Sequence, residues 1–354
     1  MRSVLVFGVV LISGAVVSGC ALPYYWQAAA GQLELLSQRT PIEEVLNDPE
    51  QSIATKEALL LALRIRAFAV AELGLPDNDS YRSYADLGRP YVVWNVVAAE
   101  EFSVEPRRWC FPIAGCVTYR GYFAQQDAER YAESLSAAGL DTYVAGSPAY
   151  STLDYFSDPV LNTMFTGGEQ TIAGILFHEL AHQLFYIKGD TELNEAFATA
   201  VAEYGTQQWL LQEGDRQAIE AYQRSLKRRE DFYRLIISQQ NRLRSLYGRP
   251  STPENMRAEK REAFQILLAE YGAQRAAWGG ASDYDAWFSR PLNNAQLASI
   301  STYSRWLPKL REYLRSHGLN ALYAEMELLE DLSQEARQAR LAALSTTAFS
   351  SELR

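Results

Sequence analysis

Residues 178–205 read HELAHQLFYIKGDTELNEAFATAVAEYG. The two histidines stand one helical turn apart, so an α-helix brings His178 and His182 onto the same face. Glu179 then lies about 100° around that helix, beside whatever the two imidazoles hold. Downstream, Ala196, Ala198, Thr199, Ala200 and Ala202 make a slim second helix that can approach the first closely. Between them Gly189 suits a C′ position, and Asp190 or Thr191 suits an N-cap. The stretch therefore predicts a tight hairpin of two antiparallel helices.

Rise per residue tests that hairpin. From His182 to Ile187 the first helix climbs about 7.5 Å, and a second helix starting near Glu192 returns about 4–6 Å by Glu195. The two levels match within the reach of a carboxylate side chain. His178, His182 and Glu195 then form a set of two imidazoles and one carboxylate with a position left open, the donor set of a catalytic zinc site holding one Zn2+. Glu179 stands where a general base must be to take a proton from metal-bound water. The chain has only three histidines, and the third, His317, is remote and lies in a polar SHG sequence.

Further roles follow from this site. Ligand imidazoles need a partner on the other nitrogen, which Glu203 or Thr199 could supply, with a solvated helix residue as the plain alternative for Glu203. An oxyanion donor is also needed. Tyr303, in NNAQLASISTY, is the first candidate among 21 tyrosines. Asn293 and Asn294 read as helix caps rather than substrate contacts. Glu169, Asp154 and Glu192 lie near enough in sequence to bind a substrate ammonium, but none can be assigned to that role.

The first twenty residues, MRSVLVFGVVLISGAVVSGC, are set apart from the fold. Arg2 precedes an apolar run, Val4 to Val17, that is too short to span a bilayer stably. The ending Val17-Ser18-Gly19-Cys20 resembles the bacterial lipoprotein signal, which implies lipidation of Cys20 and, with Ala21 following, an outer-membrane anchor facing the periplasm. A plain secretory peptide is the alternative. In that oxidising compartment Cys110 and Cys116, in WCFPIAGCVTYRGYF, are expected to pair. A net charge of −10 argues against nucleic acid as a partner and against adsorption to anionic lipid.

The rest of the chain predicts an α+β fold, predominantly α. After Cys20 a short polar tether is expected, then a helix over Ser52 to Leu73, stopped by Gly74 and Pro76. Pro90 to Ala98 and LDTYVAG read as strands, with a helix from about Ala124 to Ala138 between them. AGSPAYSTLDYFSDPV fits either a substrate-pairing edge strand or a loop. From Gly168 helices dominate: Asp215 to Tyr247, Pro253 to Trp278, Asn294 to His317 and Leu319 to Leu344. The charges of EAYQRSLKRREDFYRLIISQQNRLR read as a solvated face. The organisation expected is a signal peptide at 1–19, an α+β part with the cysteine loop at 20–167, and a helical part bearing the site at 168–354. The two parts are expected to form one continuous unit.

LNEAFATAVAEYG resembles the second helix of gluzincin metallopeptidases, and NEAFA resembles the NExFA element of zinc aminopeptidases. That resemblance implies His178, His182 and Glu195 as zinc ligands and Glu179 as base, although the spacing to Glu195 is shorter than is usual there. Together the lipoprotein signal, the cysteine loop, HELAH with NEAFA, and NNAQLASISTY resemble the bacterial zinc aminopeptidase family of lipoproteins. The resemblance implies a lipid-anchored enzyme of the cell envelope acting on peptides. Two rival readings are a non-catalytic envelope lipoprotein with a structural or vestigial metal site, and a zinc endopeptidase.

Overall fold

The computed structural model describes residues 22–111, 115–153, 155–301 and 305–344. Cys20, Asp154 and Tyr303 lie outside the described residues.

Helix α1 (Leu22–Ser37) comes first, where a polar tether was expected. Its Ala, Leu, Gln and Glu residues favour a helix while Pro23, Gly31 and the three aromatics do not, and its inner side packs on the body of the protein, so burial carries what propensity leaves short. Strand β1 (Thr40–Pro41), α2 (Ile42–Asn47) and α3 (Ile53–Leu73) follow. Ser52 caps α3 by accepting from Thr55 N, and Gly74 ends it in the left-handed region at φ 65°.

Three small sheets lie on this side of the molecule. Strand β2 (Ser83–Ala85) pairs antiparallel with β1 and parallel with β8 (Val160–Leu161). The largest sheet has β3 (Val93–Ala99) at its centre, antiparallel to both β6 (Arg120–Tyr122) and β7 (Asp141–Ser147). Its β-branched and aromatic residues, Val93, Trp94, Val96 and Val97, are all buried. Helix α4 (Gln125–Ala137) covers that sheet through Ala128, Ala132 and Leu135. Strands β4 (Trp109–Phe111) and β5 (Gly115–Val117) form a hairpin in which Cys110 and Cys116 are directly opposed and joined as a disulfide. Of the stretch AGSPAYSTLDYFSDPV, the first three residues end the edge strand β7 and Val160 opens the edge strand β8, while the described residues between them form no strand.

Helices fill the remainder: α5 (Glu169–Leu184), α6 (Thr191–Glu213), α7 (Arg216–Tyr247), α8 (Pro253–Ala277) and the short α9 (Asp285–Phe288). Beyond them come α10 (Asn294–Ser301), α11 (Leu307–His317), α12 (Leu319–Glu330) and α13 (Gln334–Ala343). The architecture is α+β and predominantly α. Two long helices expected near the C-terminus are each broken. Pro308, which has no N–H to donate, sits in the first turn of α11, where that loss costs nothing. Ser333 caps α13 by accepting from Ala336 N, which favours a fresh start after α12.

The main hydrophobic core draws on α3, α5, α6, α11 and α12 as well as on Tyr81, Tyr84, Val92 and Val160. It runs across the expected division at residue 167, so the two parts share one interior. A second cluster joins α7, α8 and α9 through Phe232, Ile236, Phe264, Tyr271 and Phe288.

At the centre α5 and α6 meet α3 at very close range. A Cβ on Gly205 would stand 2.5 Å from Leu73 Cδ1 and 2.8 Å from Phe177 Cδ2, and both side chains are fully buried. Gly205→Ala should therefore lower the urea midpoint, because overpacking costs about 1–3 kcal/mol against a helix-propensity gain of about 1 kcal/mol. A midpoint at or above wild type would show that this junction is slack.

Candidate metal centre

Helices α5 and α6 run antiparallel: the His178–His182 turn faces Glu195, Phe177 meets Gly205, and Trp209 Nε1 donates to Glu169 Oε1 at 2.8 Å. The first helix ends at Leu184, and Phe185 is already extended, so the turn begins three residues earlier than rise alone suggested. Gly189 takes φ +82°, and Asp190 caps α6 by accepting from Leu193 N at 3.4 Å. Asn194 closes the turn. Its Nδ2 donates to Ile187 O and its Oδ1 accepts from Ile187 N, both at 2.8 Å and buried. The Asn of the Asn-Glu pair thus holds the turn from inside, while the Glu faces the histidines.

His178 Nε2 lies 3.1 Å from His182 Nε2 and 3.3 Å from Glu195 Oε2, and His182 Nε2 lies 3.7 Å from Glu195 Oε1. The rings are nearly perpendicular, at 89°. All three donor atoms fall within 4.8 Å of one another. Donors placed tetrahedrally at about 2.1 Å from one centre stand about 3.4 Å apart. The observed separations bracket that value, and the donor types suit Zn2+, so the residues fit a single ion. Among the described residues the cluster has three members, which leaves one tetrahedral position for a water or substrate. Side-chain exposure rises from 8% at His182 to 21% at His178, so the opening lies on the His178 side.

The cluster's charges set its protonation. Burial pulls His178 down, but the adjacent Glu195 carboxylate outweighs it and holds the imidazole above its usual range. Burial takes His182 down to about 4, with Glu195 opposing and His178 adding. Burial pushes Glu179 up to about 7, against the pull of His178, while Glu195 and Asp158 add to the rise. Glu179 is only partly exposed. No described side chain hydrogen-bonds its carboxylate, which stays open to a water or a substrate amine.

Several neighbours were not legible in the sequence. Tyr81 is fully buried at φ +62°, in the left-handed region that a bulky residue rarely adopts, and its hydroxyl has no partner among the described residues. Its phenol is held well above the usual range by burial first, then by the charges of Glu179 and Asp158. Tertiary bonds impose this conformation. Tyr81 N donates to Asp158 O at 2.6 Å, and Ser80 Oγ accepts from Asp158 N and from Gln183 Nε2, each at 3.2 Å. Asn78 Nδ2 donates to Gln183 Oε1 at 2.8 Å, so the residue after His182 pins the whole loop. Tyr119, just beyond the disulfide hairpin, is raised by burial and by the charges of Glu195 and Glu179 with its neighbours Tyr186 and Tyr150.

The disulfide hairpin itself braces the turn of the helix pair. Gly115, at φ +76°, lies so close that a Cβ would stand 2.7 Å from Gly189 N and 2.9 Å from Lys188 Cγ. Arg108 Nη2 bridges the two by donating to Cys116 O and Gly189 O, each at 3.2 Å.

Other sequence expectations land elsewhere. Glu203 does not orient a histidine. Eight residues beyond Glu195 the helix has turned about 80° and risen about 12 Å, away from the rings. Its carboxylate is instead clamped by Arg311, at 2.5 and 2.6 Å, and by Arg229 at 3.1 Å. Arg229 belongs to the charged run that reads as a solvated face, and here it turns inward to neutralise a buried acid. Thr199 is buried but bonds neither imidazole, and His182 Nδ1 is buried without a partner among the described residues. Glu169 accepts from Trp209 at the far end of α5, and Glu192 faces Arg305 at 3.6 Å. Asn293 accepts from Gln296 N as a cap, whereas Asn294 links Tyr247, Glu100 and Glu101.

This is a predominantly helical α+β protein whose central helix pair gathers two imidazoles and a carboxylate into a candidate metal centre. The chain matches, over residues 23–341, the family described as "Putative aminopeptidase", and it belongs to that family. No curated protein and no solved structure matches it significantly.

Asn194→Ala should destabilise the fold by about 1–3 kcal/mol, since the N–H of Ile187 is left buried without a partner while Ile187 O keeps its bond from Asp190 N. Chemical denaturation checks this. A change under about 0.5 kcal/mol, the range of an inert surface substitution, would deny the bracket its role.

Proposed function

We propose that the protein is a zinc-dependent peptidase, most simply an aminopeptidase, in which His178, His182 and Glu195 hold one Zn2+ and Glu179 is the general base. The reading rests on one observation above all: three ligand atoms within 4.8 Å, beside a glutamate free to take a proton. When bound, the ion supplies a Lewis acid that polarises a carbonyl and acidifies a water.

The residues of the chain supply the rest. A carboxyl held near 7 is matched to accept a proton at neutral pH and to return it to the leaving amine. Glu195, through its contacts with both imidazoles, keeps their Nε2 atoms turned toward one point. Tyr119, whose phenol is raised by burial and by the charges of Glu195 and Glu179, joins Tyr303 as a candidate donor to an oxyanion. Peptide as substrate and a preference for a free N-terminus follow the family description. Lipidation at Cys20 would hold the enzyme on the outer membrane, facing the periplasm, without a spanning helix. Among the described residues no helix is long and apolar enough to cross a membrane.

Metal analysis and cleavage of peptides with free and blocked N-termini test this reading. Glu179→Gln should keep the metal and lose about 10²-fold or more in kcat. Full activity in that variant would remove the mechanism, and cleavage of blocked peptides would make the enzyme an endopeptidase. Tyr119→Phe should lower kcat by about 10²–10³-fold with metal content unchanged. An unaltered kcat would return the oxyanion role to another residue.

A further inference from the structure

Helix α1 has two faces of different character. Its inner arc, Tyr24, Gln27, Gly31 and Leu35, is docked on the β6 sheet. Gln27 donates to Gly121 O at 3.3 Å and accepts from Phe123 N at 3.2 Å. The Arg120 guanidinium stacks 4.0 Å over the Tyr24 ring, and a Cβ at Gly31 would collide with the Phe123 ring. These contacts fix the rotation of the helix. The opposite arc carries Trp26, Ala29, Ala30 and Leu33, which at 100° per residue fall within about 100° of one another. All four are exposed, Trp26 at 77% and Leu33 at 67%, with Tyr25 at 43% on the flank. From Leu22 to Leu33 there is no charged residue.

We infer that this outer arc of α1 lies in the interfacial layer of a lipid bilayer and orients the enzyme on the membrane. The inference rests on the proposed anchoring at Cys20, which stands two residues before the helix. Trp26 is six residues from that cysteine, a span of about 20 Å even fully extended, so a lipidated Cys20 would hold this face at the bilayer surface. An acyl anchor alone leaves a body free to swivel. A rigid helix beside it, presenting Trp, Tyr and Leu on an uncharged surface, adds a second contact of the kind headgroup regions favour. The net charge of −10 points to apolar rather than electrostatic attraction.

The test uses the lipidated full-length product in phosphatidylcholine–phosphatidylethanolamine vesicles. Nitroxides are placed through Trp26→Cys, Ala30→Cys or Leu33→Cys, with Glu34→Cys and Gln38→Cys as controls. Collisions with oxygen should exceed those with an aqueous nickel chelate at 26, 30 and 33, and the order should reverse at 34 and 38. Vesicle-bound protein with aqueous exposure at 26, 30 and 33 would overturn the inference and leave the anchor standing. Protection from both quenchers there would point to a protein partner and overturn it as well. Protein that fails to float with the vesicles, the behaviour expected of Cys20→Ala, would overturn anchor and inference together.

Discussion

The Asn194 carboxamide donates to Ile187 O and accepts from Ile187 N, and Glu195 follows it directly in the chain. A buried amide satisfied on both sides tolerates little displacement, because each lost bond would leave a polar group dry. The register between α5 and α6 is therefore set beside the place where the carboxylate must face the imidazoles. Gly205 lets the same pair of helices stay close about three turns further on, where even a methyl group would strike Leu73 and Phe177. Placing the three donor atoms within 4.8 Å of one another depends on both constraints.

Around this pair, tertiary contacts do the work of a rigid mount. The disulfide hairpin presses Gly115 against the turn at Gly189, and Arg108 ties the two backbones. Further along α6, Glu203 is a buried acid neutralised by Arg229 and Arg311, so α7 and α11 are drawn onto the helix that carries Glu195. A buried charge left without its partners costs several kcal/mol, so these clamps hold the arrangement in register more than they add net stability. On the other side, Gln183 pins the loop that keeps Tyr81 in a strained backbone conformation, with its hydroxyl unsatisfied near Glu179. Strain that neighbouring bonds must sustain is commonly found at functional sites.

Local physics was readable in the chain where it acts over one or two turns. The four-residue histidine spacing, the Asp190 cap, the Gly189 turn, the Ser52 and Gly74 ends of α3 and the long helices α7 and α8 all follow from periodicity and capping. Errors came where two signals compete. Asn294 to His317 looks continuous in apolar spacing, yet Pro308 permits a new start, and the uncharged stretch after Cys20 gave no polar stripe to mark it as a helix. Proximity along one helix makes Glu203 and Thr199 candidates to orient the rings, but helix rotation carries Glu203 toward two arginines.

The sequence by itself determined the candidate donor set, the glutamate next to it in the chain, a predominantly helical α+β chain and a helical hairpin short enough to close. Those properties depend on residue type and on spacings of a few residues. Only the tertiary structure decided which nearby carboxylates are free and which are neutralised. It also showed that Asn194 holds a turn, that the charge of Glu179 reaches the buried phenols of Tyr81 and Tyr119, and that one face of α1 is left uncovered. Each of these depends on which side chains from distant segments arrive at the same place, and on the burial that then shifts their charge. Residue spacing along one chain carries no record of either.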